Sequence, residues 1–199
     1  MKKGIMKLIV LAALVCAVLS CGMGITSGVQ KGAANHKDED VAPEDKVVFT
    51  GSGIFYYLPD LESQGSGKET FKYAQKAVTE GKAIYKDGMY FSKEYALKDI
   101  SLTFRRDKTY CLKETLINPK TEAVIDSDSS TGTYSISNGQ LVRSFQFKGD
   151  MYEEVYLISH DGEALVLKSV DTPQQRSASG IRPIYTLTQS SGLLNVFSK

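Results

Sequence analysis

Apolar and polar side chains alternate through the C-terminal two thirds of the chain, and tight-turn dipeptides break the alternation at intervals. In "GTYSISNGQLVRSFQF", Asn138-Gly139 supplies the positive φ angles that a two-residue type I′ turn requires. That register pairs Ile136 with Leu141 and Tyr134 with Arg143, and sets Ile136, Leu141, Phe145 and Phe147 on one face. In "VYLISHDGEALVLKSV", Asp161-Gly162 predicts a second hairpin, opposing Ile158 to Leu165 and Tyr156 to Leu167. Leu157 and Val166 on its other side are apolar too, so this hairpin is expected to be covered on both faces. "AIYKDGMYF" turns at Asp87-Gly88, opposing Tyr85 to Tyr90 and Ile84 to Phe91. "ISLTFRRDKTYCLKETLI" carries Leu102, Phe104, Tyr110 and Leu112 around a polar turn, with Cys111 on the opposite face from Tyr110 and Leu112. "TLINPKTEAVI" turns at Asn118-Pro119, and "PIYTLTQ" is the last strand, with Tyr185 and Leu187 inward.

One stretch departs from period two. "KETFKYAQKAVTEGK" spaces Phe71, Ala74 and Val78 as a helix does, with Gly81 where a C-cap belongs, so one short helix is expected over 68–81. About eight short strands with turn signals between them predict an all-β fold, a closed antiparallel barrel or a sandwich.

The N-terminus follows other rules. Lys2, Lys3 and Lys7 precede a charge-free apolar run from Leu8 to Leu19. A basic start and an apolar stretch of about 7–15 residues make a secretory signal, whereas a membrane-spanning helix needs roughly 20. Val18-Leu19-Ser20-Cys21 resembles the lipobox of bacterial lipoproteins, with Ser20 as the small residue before the cysteine; Cys16 is preceded by bulky Val15. The resemblance implies thioether lipidation of Cys21, three acyl chains on it and a firm membrane anchor, where one chain alone binds only marginally. Residues 22–46 are poor in large apolar groups and rich in Gly, Ala and charge, the composition of a flexible tether. The expected organisation is a signal peptide over 1–20, a lipidated tether over 21–46 and a folded domain over 47–199.

Charge and candidate chemistry narrow the function. Loss of residues 1–20 removes three lysines and no acids, taking the net charge from +1 to −2, which carries no nucleic-acid footprint. Cys111 is then the lone unlipidated cysteine, so no intramolecular disulfide forms. His36 lies in the tether and His160 beside a turn, and these two histidines are too few for a zinc site. "DSDSSTG" spaces Asp126 and Asp128 as calcium ligands, but Thr131 stands where the loop glycine belongs, and a polar loop is expected there. "GSGKET" around Lys68 lacks a phosphate-loop pattern. No catalytic residue, metal or cofactor is expected. Tyrosine is abundant, at 11 residues, and Tyr85, Tyr90, Tyr110, Tyr134, Tyr156 and Tyr185 either fill the core or line a pocket for a small apolar ligand.

"ISLTFRRDKTYCLKE", "STGTYSISNGQLVRSF", "ALVLKSV" and "IYTLTQ" follow one another in the order found in lipocalin-like domains of small secreted lipoproteins from Bacteroidetes-type bacteria. The resemblance covers roughly 100–190 and rests on Leu102, Phe104, Asp107, Tyr110, Gly132, Tyr134, Ile136, Leu141, Leu165 and Leu167. It implies an antiparallel up-and-down β-barrel of about eight strands that holds a small ligand or serves as a structural envelope component. The chain has no Trp for the first-strand signature of lipocalins, and "GSGIFYYLP" stands in that place with Phe55 or Tyr56. A second resemblance, of "RSASGIRPIY" over 176–185 to periplasmic lysozyme inhibitors, implies that Ser179-Gly180 enters the lysozyme cleft and Arg182 pairs with a carboxylate there. Gly22 after Cys21 lacks the inner-membrane retention aspartate, so an outer-membrane location follows from that same lipoprotein resemblance.

Overall fold

Eight of the strands close into an antiparallel barrel because the first pairs with both the third and the last. The computed structural model describes residues 41–57, 66–147, 149–170 and 181–197. The elements are β1 (Lys46–Tyr57), α1 (Ser66–Thr79), β2 (Ala83–Lys86), β3 (Met89–Arg105), β4 (Thr109–Ile117), β5 (Val124–Ser137), β6 (Gln140–Phe147), β7 (Asp150–Asp161), β8 (Ala164–Val170) and β9 (Ile181–Gly192). From β3 to β9 each strand pairs with its sequence neighbour, and β1 fills the gap between β9 and β3. This is the up-and-down architecture of lipocalin-like barrels. The short β2 pairs only with the start of β3 and lies outside the ring.

The turns follow from local chemistry. Asn138 (φ 50°) and Gly139 (φ 72°) form the expected turn and pair Ile136 with Leu141 and Tyr134 with Arg143. Asp87 and Gly88 do the same between β2 and β3. Between β3 and β4 the left-handed position is taken by Lys108 (φ 67°), whose N–H donates to the Arg105 carbonyl at 3.1 Å. The β7–β8 register differs from expectation: Asp161 pairs with Ala164, so Gly162 and Glu163 turn the chain, and Ile158 faces Leu167 while Tyr156 faces Ser169. Only Gly162 of that pair needs positive φ (60°), as the first central position of a type II′ turn does. The slip is an even number of residues, so Tyr156, Leu165 and Leu167 still face inward. Among the described residues, Leu157 on the outer side of this hairpin is 42% exposed and Val166 half-buried.

Two further differences lengthen strands. "DSDSSTG" is part of β5 and not a loop: its residues pair in sequence with β4 from Asp126↔Leu116 to Gly132↔Tyr110. β3 runs unbroken over the stretch read as two pieces, bent at Asp99 (φ 53°) where its pairing with β4 shifts. Gly132 sits where β5 and β6 approach closely; a Cβ there would overlap the Ser144 carbonyl oxygen.

The helix ends at Gly81 (φ 70°) in a Schellman cap, with Lys82 N–H donating to the Ala77 carbonyl (2.7 Å) and Gly81 N–H to that of Val78 (3.0 Å). Its buried side is Ala74 and Ala77, flanked by Tyr73 and Val78, and it packs on Tyr57 and Ala83; the side chain of Phe71 lies outside the described residues. Directly opposed residues share a sheet face. Tyr57 opposes Ile181 and Tyr90, two positions beyond Phe55↔Pro183, so α1 sits on the continuation of the barrel's inward face.

The other end of the interior is sealed by rings. Phe104 lies 4.7 Å from Tyr134, 5.3 Å from Phe197 and 6.3 Å from Phe49, all edge-on. The tail after β9, unread in the sequence, supplies Phe197 and folds back through Leu194 N–H to the Lys46 carbonyl (3.1 Å). The last residues of the expected tether are pinned at this end: Arg106 binds Asp45 and donates to the Glu44 carbonyl at 2.9 Å. Cys21 and residues 1–40 lie outside the described residues.

Candidate functional site

A few charged side chains are set into the largely apolar interior. Even-numbered residues of β4 and β5 and odd-numbered residues of β6 point inward, which carries Glu114, Asp128 and Arg143 into the barrel beside Tyr110, Tyr134 and Leu141. Arg143 is the centre. It is 4% exposed, and its guanidinium carbon lies 4.8 Å from the ring centroid of Tyr156, 5.3 Å from Tyr110 and 6.0 Å from Tyr185. Its Nη2 donates to Glu154 on the neighbouring strand and to Tyr156 Oη at 2.6 Å, while the Tyr156 hydroxyl donates to Glu154 Oε2 at 2.8 Å. Among the described residues, Arg143 Nε and Nη1 have no hydrogen-bond partner.

A second carboxylate closes the cluster. The Tyr185 hydroxyl donates to Glu114 Oε2 at 2.9 Å, and the Tyr185 ring stands 5.7 Å from that of Tyr156. Burial pushes the Glu114 carboxyl up to about 7; Glu154 and Asp128 add to the rise, while Arg143 and the Tyr185 hydroxyl act against it. Glu114 and Asp128 are directly opposed across β4 and β5, an unfavourable pairing when both are charged. Burial also raises the Asp128 carboxyl. The hydroxyls of Tyr110, Tyr156 and Tyr185 are pushed above their ordinary range by burial and remain protonated donors.

The expected tyrosines therefore divide into three places. Tyr110, Tyr156 and Tyr185 surround Arg143. Tyr134 belongs to the sealed end, where its hydroxyl donates to the Arg105 carbonyl at 2.9 Å. Tyr85 and Tyr90 pair with each other at 4.8 Å on the β2–β3 hairpin, away from Arg143; Tyr90 packs on the cluster of Tyr57, Ala74 and Ala77 under α1, and Tyr85 is 59% exposed. Arg143, Glu114 and Glu154 are the residues that sequence reasoning missed, although the predicted Tyr134–Arg143 pairing already set a charge on an apolar face. Of the 176–185 segment, residues 176–180 lie outside the described residues; Arg182 is within β9, 6% exposed, and donates to the Ile181 carbonyl at 2.9 Å. His160 is exposed and Cys111 is buried. Among the described residues no cluster of His, Cys, Asp or Glu could hold a metal ion, and no helix is long and apolar enough to cross a membrane.

Comparison with protein-family models, with curated proteins and with solved structures finds no match. The interior of the barrel is thus the basis for a functional reading.

Proposed function

We propose that this protein is a lipid-anchored envelope lipoprotein whose lipocalin-like barrel binds a small, largely apolar ligand, oriented by the polar cluster around Arg143. One observation carries the reading: a buried guanidinium with donors to spare, ringed by tyrosines, inside a barrel whose interior is otherwise largely Leu, Phe and Tyr. Well-packed apolar residues in place of a buried charge network are often neutral or stabilising, so folding alone does not call for it. Eight-stranded barrels are of a size that side chains fill or that holds one small ligand. Arg182 is held within β9 and largely buried, which favours this reading over docking into lysozyme.

Titration with a fluorescent long-chain probe is expected to saturate at one probe per chain and to be reversed by unlabelled competitor. Absence of saturation would point instead to a purely structural envelope role. Anchoring is tested separately. In cells given labelled palmitate, the full chain is expected to take up label and fractionate with membranes, and Cys21→Ser to do neither; label persisting on Cys21→Ser would exclude the lipobox reading.

A further inference from the structure

On the strength of the ligand-binding reading, we infer that the ligand carries a carboxylate head that docks on Arg143, and that Glu114 takes up a proton as it docks. The first half follows from unsatisfied donors. Nη2 is committed to Glu154 and Tyr156, but Nε and Nη1 are buried and have no partner among the described residues. Buried polar groups left unpaired are costly, and ionised donors most of all. The tyrosine rings shield the cation without accepting a conventional hydrogen bond from those atoms. A carboxylate satisfies such donors with charge-assisted bonds. It also suits the charge balance: Arg143 is the one cation named in the cluster and it already faces Glu154, so a monoanion fits better than a doubly charged phosphate.

The second half follows from what else faces the site. Glu114 on β4, Asp128 on β5 and Glu154 on β7 converge with Tyr110, Tyr156 and Tyr185 on the same interior. A further negative charge beside Arg143 repels these carboxylates. Glu114 is linked to the cluster through the Tyr185 hydroxyl, and its affinity for a proton already lies near neutral pH. Protonation removes one of the opposed charges and leaves a neutral acid able to donate to the incoming head. Binding and proton uptake then favour each other by linkage. Above about pH 7, where the free protein has lost this proton, affinity for the acid falls by up to about tenfold per pH unit.

The test uses the full chain with cis-parinaric acid and the corresponding neutral alcohol. The acid is expected to bind at least tenfold more tightly than the alcohol at pH 6.5, to weaken about tenfold by pH 8.5, and to draw protons from solution in calorimetry run in buffers of different ionisation enthalpy. Arg143→Lys, which keeps the charge but loses the guanidinium donors, is expected to erase the preference for the acid. Glu114→Gln is expected to flatten the pH profile. Equal binding of acid and alcohol without proton uptake would overturn the inference and leave the ligand-binding barrel standing. Saturation by neither would overturn the barrel's binding role, and the inference with it. The calorimetric measurement needs no variant, so a misfolded substitution does not decide the outcome.

Discussion

Phe104→Ala is expected to cost about 3–5 kcal/mol, a large share of the stability of a domain this size. Phe104 is fully buried and makes edge-on contacts with Tyr134, Phe197 and Phe49 at the sealed end. Truncation removes the hub of these contacts. The surroundings cannot collapse into the space, because Phe49 and Tyr134 are held on different strands of a closed ring. A cavity therefore remains, and its cost adds to the lost transfer free energy. With an ordinary urea dependence of about 2 kcal/mol per molar, the unfolding midpoint drops by about 2 M. Phe104→Leu, which keeps most of the volume, should lose under half as much. A midpoint shift of less than about 0.5 M for Phe104→Ala would mean that this end is not a packed seal.

Glu114→Gln works in the opposite direction and depends on pH. The carboxyl's folded value, about 7, lies above its ordinary 4.5. Between those values the folded state holds the proton more tightly than the unfolded chain, so this group's contribution to stability falls as pH rises from about 4.5 to 7. Above pH 7 the folded protein carries a buried carboxylate that the unfolded chain would hydrate, a loss of about 3 kcal/mol. Gln keeps the shape and an acceptor for the Tyr185 hydroxyl but never ionises. The variant is expected to match the parent near pH 4 and to exceed it by about 2–3 kcal/mol at pH 8. Urea melts of both proteins at these pH values check it. A difference independent of pH would show that the carboxyl is solvated.

Much of the barrel was legible because its signals are local. Asn138-Gly139 and Asp87-Gly88 dictated their registers, and Gly81 its helix end, each through a positive φ that few residues adopt. Asp161-Gly162 misled because both residues suit a turn, yet Gly162-Glu163 also satisfies a type II′ turn and the ring's overall register selects it. "DSDSSTG" read as a loop because its composition is polar. In a barrel whose largely apolar interior holds a polar cluster, however, Asp126, Asp128 and Ser130 alternate inward like any strand residues. The candidate site was half visible for the same reason. Tyr110, Tyr156 and Tyr185 are found by residue type, while Arg143, between Leu141 and Phe145 on the inward face, carries no local signal beyond its pairing with Tyr134. Which tyrosines converge depends on how the strands stagger around the ring, and that is not encoded in any one hairpin.

Closure by β1 has a kinetic consequence. The first strand is held between β3 and β9, and β9 ends only at Gly192. Contacts between residues so far apart in sequence form late and slow the folding of the whole. A ribosome-bound chain would therefore hold an incomplete, edge-exposed curl, open to chaperones and proteases alike, until β9 emerges.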